Sequence, residues 1–333
     1  MATLFGKTSQ YEAIGNRLDI ELAEVESRFT AELVSELPFV NDLVRHLEQY
    51  RGKMLRPMLL LVSGMAGAPE RPINDAHRTL AAVVEMVHMA TLVHDDVLDE
   101  SEVRRKGTTI NLLHGNEAAV MLGDYLISHA YHLCSSIGSI PAARLIAQAT
   151  NTVCEGELLQ LANRNNWSLD EHTYEQIINR KTGVLCGVSC RLGALAGGAP
   201  REICDAMQSF GDALGMAFQI IDDVLDLTGD PKVVGKSLGK DLEKGKLTLP
   251  LIRRLETAGP ADRQQLIDLL RSNDDGRFER IGEMLSASNA VDYAHQRAVR
   301  LIAVAKSAVA QLPESLARST LNAMADGVVT REF

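Results

Sequence analysis

The chain has 333 residues, of which 46% are hydrophobic and 23% are charged, and its formal net charge is −10. This acidic balance excludes a general nucleic-acid-binding protein, because contacts to a phosphate backbone require a broad basic surface. The apolar runs are shorter than the roughly 18 residues that a membrane span requires. The first ten residues also lack the apolar core of a signal peptide, so we expect no membrane-spanning or secretory segment.

The cysteines indicate a reducing environment. They are five in number and none forms a Cys-x-x-Cys pair. An odd number without paired spacing favours free thiols, and we therefore expect a cytoplasmic protein. Cys186 and Cys190 stand four apart on a predicted helix, where two small buried side chains are a simpler interpretation than half of a metal site.

Helical spacing of apolar residues recurs along the whole sequence, whereas strand signals are scarce. One stripe includes Leu22, Val25 and Phe29, and a second extends from Leu80 to Leu92. Short breakers such as "GAPERPIN", "GSIP" and "TAGPAD" separate the helices. We predict an all-α protein with about a dozen helices in one domain spanning residues 1–333, with residues 259–333 as shorter, peripheral helices.

An apolar helix ends in the aspartates Asp95, Asp96 and Asp99 of "MATLVHDDVLDESEVRR". On a helix, positions i, i+1 and i+4 can reach one region of space. Like charges at i and i+4 cost about 0.2–0.5 kcal/mol, carboxylates near a helix C-terminus oppose the macrodipole, and apolar surroundings add a desolvation cost. A solvated acidic face is the ordinary explanation of such a run, but a bound cation would offset all three costs.

The same spacing recurs at the end of a second apolar helix, in "GMAFQIIDDVLDLTGDP". Its aspartates are Asp222, Asp223 and Asp226. One such cluster is common by chance, whereas two, each ending an apolar helix, favour a shared function. Six carboxylates form a hard, all-oxygen ligand set, which predicts several Mg²⁺ ions bridging to a polyphosphate.

A polyphosphate between the clusters should be surrounded by basic side chains. The candidates stand at helix junctions or beside the clusters: Lys53, Arg56, Arg104, Arg105, Lys181, Lys236 and Lys246. Each alone could be a solvated surface residue, but their shared placement favours phosphate binding. His88 lies two helical turns before Asp95 and therefore on nearly the same face, where it is a candidate donor to a second phosphate group.

Together these motifs resemble those of the trans-type isoprenyl diphosphate synthases, also called polyprenyl synthetases. "HDDVLDESEVRR" is similar to the first aspartate-rich motif of the family, "FQIIDDVLD" to its second, and "GKSLGKDLEKGKLTLP" to the pattern that follows. Arg51 and Met54 depart from the family, which has Gly and Arg there. The resemblance implies a helical bundle around a central cavity, a homodimer, and a Mg²⁺-dependent prenyltransferase that joins isopentenyl diphosphate to an allylic diphosphate.

The resemblance also implies metal ligands and catalytic residues. The principal ligands would be Asp95, Asp99 and Asp222. Direct or water-mediated contacts would come from Asp96, Asp223 and Asp226. The catalytic residues would be Asp95, Asp99, Arg104, Lys181, Asp222 and Lys246.

Substrate contacts are implied in the same way. The allylic diphosphate would be held by Arg104, Lys181 and Lys236. Isopentenyl diphosphate would be held by Lys53, Arg56, His88 and Arg105. Thr182 and Gln219 would lie near the developing allylic cation, and Lys246 near the leaving group.

Product length in such enzymes depends on what closes the cavity beneath the first aspartates. One turn before Asp95 stand Ala90 and Thr91, which are small and leave the cavity open, while Tyr125 and Tyr131 on the next helix are candidate plugs. The wider sequence is most similar to bacterial long-chain synthases. We therefore predict an all-trans product of about C30–C50, near octaprenyl length, with about C15–C20 as the alternative. For so apolar a product, we expect at most a transient membrane contact during release.

Three other functions compete with this interpretation. A class I terpene cyclase would have one such aspartate motif and a different second metal motif. A metal-dependent phosphohydrolase would require histidine ligands, and none stands beside the second cluster. A catalytically silent subunit of a heteromeric synthase would lack aspartates from one cluster, whereas this chain keeps all six.

Overall fold

The computed structural model describes residues 12–50, 52–105, 107–228, 239–272, 274 and 276–330. These residues form fifteen α-helices, one short hairpin, a 3₁₀ turn at Leu47–Tyr50 and a π-helical turn at Asn179–Gly183. The helices are α1 (Glu12–Glu32), α2 (Pro38–His46), α3 (Leu55–Gly67), α4 (Asp75–Leu98), α5 (Ile110–Ser135), α6 (Ile140–Ala162), α7 (Glu171–Ile178), α8 (Val184–Ala196), α9 (Arg201–Thr228), α10 (Lys240–Glu243), α11 (Leu249–Thr257), α12 (Pro260–Arg271), α13 (Arg277–Ser286), α14 (Ala290–Val309) and α15 (Leu316–Val329). The predicted all-α class is confirmed.

The central helices are buried on most sides. α8 packs along both α9 and α3, and α4 packs along α5. In α3 every residue from Pro57 to Ala66 is buried. Buried apolar side chains from Ile14 to Val328 form one continuous cluster, so the two aspartate motifs lie at the ends of helices that are otherwise surrounded by protein.

Local sequence explains where α4 begins and ends. Asn74 caps the helix, because its side chain accepts a hydrogen bond from the His77 N–H over 3.2 Å, while the Asn74 N–H donates to His77 Nδ1 over 3.2 Å. The predicted stripe that begins at Leu80 is buried through Val87. The helix ends at Leu98 with Asp99 as its C-terminal cap. The first aspartates therefore occupy the last turn of a buried helix.

The C-terminal part of the chain contains both short and long helices. α12 and α13 have 12 and 10 residues. α14 has 20 residues and packs along α9. This long helix therefore packs against the helix that carries the second aspartate motif.

A short hairpin follows the first aspartate cluster and was not predicted. Its strands are β1 (Val103–Arg104) and β2 (Gly107–Thr108), which pair antiparallel. Arg105 adopts a left-handed φ of 57°, an uncommon backbone conformation for an arginine. The hairpin fixes the two arginines beside the cluster.

The structure also bears on the expected absence of membrane spans and on the cysteines. None of the helices in the described ranges combines the length and the apolar character needed to cross a membrane. All five cysteines fall within those ranges and are free thiols. Cys186 and Cys190 are buried on α8, as predicted, and burial raises the pKa of both thiols.

Candidate active site

The aspartates of the first cluster point in two directions. Asp96 is buried and pairs with Arg104, whose Nε donates to Asp96 Oδ1 over 2.8 Å and whose Nη2 lies 2.7 Å from the same oxygen. Asp95 and Asp99 face a different set of groups. Burial raises the pKa of the Asp95 carboxyl; Lys181 opposes that shift, and the carboxylate of Glu157 adds to it.

Asp99 lies between two cations from distant parts of the chain. Arg164 Nη2 donates to Asp99 Oδ1 over 2.7 Å, and Lys246 Nζ donates to Asp99 Oδ2 over 2.8 Å. Arg164 follows the end of α6, whereas Lys246 lies between α10 and α11. Side chains from three segments of the chain therefore contact one another at the C-terminal cap of α4.

The second cluster repeats the arrangement of the first. Its middle aspartate, Asp223, is buried and accepts hydrogen bonds from the Tyr174 hydroxyl over 2.6 Å and from Gln219 Nε2 over 2.8 Å. Burial raises the pKa of Asp223, and the nearby carboxyl of Asp241 raises it further. Asp222 is exposed and Asp226 is half-buried. In both clusters the carboxylate at i+1 is held inside the protein, while those at i and i+4 remain more accessible.

Lys246 and Asp241 connect the two clusters. Lys246 Nζ lies 2.8 Å from Asp99 Oδ2 and 4.0 Å from Asp241 Oδ1. Asp226 Oδ2 in turn accepts a hydrogen bond from the Asp241 N–H over 3.2 Å. Burial raises the pKa of Asp241 to about 6; Lys246 opposes the shift, and carboxylates from both clusters add to it. Lys246 and Asp241 therefore lie between Asp99 of the first cluster and Asp226 of the second.

A π-helical turn carries Lys181 and Thr182. Such turns are rare and often occur at functional sites. Lys181 forms an ion pair with Glu157, and its Nζ donates to Gln160 Oε1 over 3.2 Å. The Thr182 hydroxyl donates to Gln219 Oε1 over 3.0 Å. This turn thus links α6 to α9 beside the aspartates.

A separate basic group surrounds His88. Burial lowers the pKa of His88 well below its usual value, and the positive charges of Arg56, Arg105 and Arg104 lower it further. Arg105 Nη1 also donates to the Tyr50 carbonyl. Lys53 is exposed in the segment that leads into α3. A neutral imidazole among arginines can donate to a phosphate oxygen without adding another positive charge.

Some sequence predictions fall elsewhere. Lys236 and Arg51 lie outside the described residues. Tyr125 donates to the Leu33 carbonyl at the end of α1 over 3.3 Å, and Tyr131 is 38% exposed. The plug beneath α4 for which both tyrosines are candidates stays a prediction.

Several residues of the site were missed from the sequence: Glu157, Gln160, Arg164, Tyr174 and Asp241. Asp241 lies inside the motif "GKDLEKGK", so a local sequence signal for it exists. Glu157 and Gln160 are three positions apart and share a face of α6, which is a weaker signal. Arg164 and Tyr174 carry no local signal, because their contacts with Asp99 and Asp223 depend on tertiary packing.

The donor set fits a hard divalent cation. The two clusters, Glu157 and Asp241 supply carboxylate oxygens, which Mg²⁺ prefers over nitrogen or sulfur ligands. Burial raises the pKa values of the partly buried Asp95 and Asp241, and crowding by neighbouring carboxylates adds to both shifts. A bound cation would relieve that crowding.

Comparison with known proteins identifies the family. The polyprenyl synthetase family model matches residues 38–287. Octaprenyl diphosphate synthase of Escherichia coli (strain K12) is 34% identical over 314 residues, which cover 94% of this chain and 96% of the relative. A short chain isoprenyl diphosphate synthase of Methanothermobacter thermautotrophicus is 35% identical over 294 residues, covering 86% and 89%. The crystal structure of a decaprenyl diphosphate synthase from Rhodobacter capsulatus superposes with a TM-score of 0.89 at 34% identity, covering 96% and 98%.

The chain therefore belongs to the polyprenyl synthetase family, as its motifs predicted. Its activity is that of a trans-prenyl diphosphate synthase. The names of the relatives range from short-chain to octaprenyl and decaprenyl enzymes, so similarity alone does not fix the length of the product.

Proposed function

We propose that this enzyme condenses isopentenyl diphosphate head-to-tail with an allylic diphosphate, using Mg²⁺, to make an all-trans long-chain polyprenyl diphosphate. The observation that carries the proposal is the junction at Lys246, which contacts Asp99 of one cluster and lies beside Asp241 next to the other. Carboxylates and cations alternate there, as a site for a metal–diphosphate complex requires.

The proposed ligands of the metal ions are Asp95, Asp99 and Asp222, with Asp226 beside them. When bound, Mg²⁺ neutralises negative charge on the diphosphate oxygens. Asp96 and Asp223 have a different part in this proposal. Because each is buried and hydrogen-bonded, they orient Arg104 and Gln219.

The cationic side chains then hold the leaving group. In the ligand-free protein Lys181 pairs with Glu157, and Lys246 pairs with Asp99. Both lysines are positioned to interact with a diphosphate, together with Arg104. As the allylic carbon–oxygen bond breaks, its electron pair passes to the diphosphate, and nearby positive charges stabilise the increase in negative charge.

The allylic cation is then captured by isopentenyl diphosphate. Gln219 is held by two hydrogen bonds, so its Oε1 and the Thr182 hydroxyl oxygen form a fixed pair of partial negative charges. The double bond of isopentenyl diphosphate forms the new carbon–carbon bond, and a proton then passes to the released diphosphate. Isopentenyl diphosphate itself would bind near His88, with Arg56, Arg105 and Lys53 around its phosphates.

The proposed product length of about C30–C50 follows from the small side chains before Asp95. Ala90 is fully buried, whereas Thr91 is half-buried, and the Thr91 hydroxyl donates to the His88 carbonyl over 2.7 Å. Thr91 is therefore the side chain of the two that can border the growing chain.

With farnesyl diphosphate, excess isopentenyl diphosphate and Mg²⁺, we expect the enzyme to give products of about C30–C50 on chromatography. Thr91→Phe should shift the main product to about C20, the result of one condensation, because the ring fills space that the chain requires. Thr91→Val is the matched control, since it removes the hydroxyl at similar size and should leave the length unchanged.

A wild-type product that stops at about C20 would overturn the long-chain proposal while sparing the family assignment. Consumption of the allylic substrate without isopentenyl diphosphate would favour a terpene cyclase instead.

A homodimer is the proposed assembly. Apolar side chains are exposed along α5 and α6, where a soluble monomer would ordinarily be polar. They are Leu112, Leu113, Val120, Met121, Tyr131, Ile140 and Leu158. A second copy of the chain would cover this surface.

We expect Met121→Glu to sediment as a monomer at concentrations where the wild type sediments as a dimer, because Met121 is 63% exposed in the middle of the patch. Analytical ultracentrifugation measures this directly. Val304→Glu, a matched change at an exposed residue of α14, should leave the dimer intact. A wild-type monomer that is fully active would contradict the proposed assembly.

The free state of all five cysteines supports a cytoplasmic location. Release of so apolar a product would involve at most a transient contact with a membrane. A cell fraction in which the protein stays with washed membranes would contradict this part of the proposal.

A further inference from the structure

A second group of metal-ligating side chains lies where the end of α1 meets α5. It consists of Glu32, His129 and His132, and one ligand atom from each lies within 4.8 Å of the others. The Nδ1 atoms of His129 and His132 are 3.1 Å and 2.6 Å from the same oxygen, Glu32 Oε1. None of the three residues belongs to the aspartate site.

A positive charge beside Glu32 would be stabilising. It is the last residue of α1, and a carboxylate at a helix C-terminus opposes the macrodipole. The last turn of α1 contains no basic residue. The nearest arginine along the helix, Arg28, is directed to Asp75 and Thr79 at 2.8 Å and 3.0 Å.

The two histidines are positioned by the helix that carries them. They stand three residues apart on α5, so both imidazoles project from one face. Tyr125 lies one turn earlier on that face, and its ring packs against His129 at a tilt of 51° with the centroids 4.2 Å apart. His129 is thereby held in place, while His132 is 77% exposed and leaves the group open to solvent.

The separations between the ligand atoms are somewhat smaller than those around a tetrahedral ion. With metal–ligand distances of about 2.0–2.2 Å, neighbouring ligand atoms of a tetrahedral Zn²⁺ site lie about 3.3 Å apart. Both nitrogen–oxygen distances are shorter than this value, so outward rotations of the imidazole and carboxylate side chains would open the space for the ion. Two imidazoles and one carboxylate are ligands that Zn²⁺ and other divalent first-row transition metals accept, whereas Mg²⁺ prefers oxygen ligands alone.

We propose that Glu32, His129 and His132 bind a Zn²⁺-class ion, with a fourth position open to water, and that this ion joins the end of α1 to α5. The ion differs in chemical class from the one expected at the aspartates. The site is also independent of the proposed function, because its residues contact neither aspartate cluster.

Calorimetric titration of the metal-stripped, full-length protein with Zn²⁺ tests the site, with Mg²⁺ present in excess. Co²⁺ provides a second readout, since a tetrahedral site with nitrogen ligands gives an intense visible band that an octahedral oxygen site lacks. The informative variants are His132→Ala, which changes an exposed side chain, and Glu32→Gln, which keeps the shape of the side chain. His114→Ala is the matched control, because His114 lies on the same helix but contacts Phe39.

We expect the wild type and His114→Ala to bind one Zn²⁺ and to show the Co²⁺ band. His132→Ala and Glu32→Gln should each weaken Zn²⁺ binding at least about 10-fold and abolish the band, because even indirect partners of a metal site contribute that much. The Asp95→Ala/Asp222→Ala variant should retain the band. A wild type without the band, or a band that survives in His132→Ala, would refute the site, whatever the enzymatic activity proves to be.

Discussion

Replacing Asp95 and Asp222 together by alanine should lower kcat/KM for the condensation at least about 10³-fold. One residue is removed from each cluster, so neither can hold its share of the metal–diphosphate complex. Steady-state incorporation of labelled isopentenyl diphosphate into extractable product, at saturating Mg²⁺, measures the effect. Circular dichroism should show an unchanged helical spectrum, because removing crowded like charges does not weaken the helices.

Asp19→Ala is the control for this variant. Asp19 is an exposed aspartate on α1, distant in the chain from both clusters, and its loss should leave kcat/KM within about twofold of the wild type. A double variant at Asp95 and Asp222 that turns over at the wild-type rate would remove the aspartates from the proposed mechanism.

Lys181→Ala should lower kcat/KM by about 10²–10³-fold, the usual cost of removing one preorganised donor to developing negative charge. Most of the loss should appear in kcat, because the charge on the leaving group grows as the allylic bond breaks. Measurement of kcat and KM for the allylic substrate separates the two effects.

Lys306→Ala removes an exposed lysine that pairs with Asp326 at 2.8 Å, and it should behave as the wild type. If Lys181→Ala raised only the KM for isopentenyl diphosphate, Lys181 would belong to the other substrate site.

Local patterns were sufficient to predict the helices and the two acidic motifs. The stripe of α4 and the caps around it are short-range features, and so is the i, i+1, i+4 spacing of the aspartates. The direction of each carboxylate was harder to foresee. A rotation of about 100° per residue turns Asp96 and Asp223 away from their neighbours, and Arg104 and Tyr174 then decide where each side chain rests.

The partners of the accessible aspartates depend on packing across long sequence separations. Arg164 and Lys246 are 65 and 147 residues from Asp99, and no spacing rule connects positions so far apart. The hairpin after the first cluster could not be predicted from the sequence either, because arginine rarely adopts the left-handed conformation found at Arg105. The hydrogen bond between Tyr125 and Leu33 is a tertiary contact of the same kind: the sequence located Tyr125 on a helix but did not show that this helix meets the end of α1.

The central claim is that both aspartate clusters bind one metal–diphosphate complex. A crystal structure of the enzyme with Mg²⁺ and a non-hydrolysable thio analogue of farnesyl diphosphate tests it most directly. We predict Mg²⁺ at about 2.0–2.1 Å from oxygens of Asp95, Asp99 and Asp222, with the diphosphate between the clusters and within reach of Lys181 and Lys246. A diphosphate bound elsewhere, or metal ions held by one cluster alone, would contradict the account.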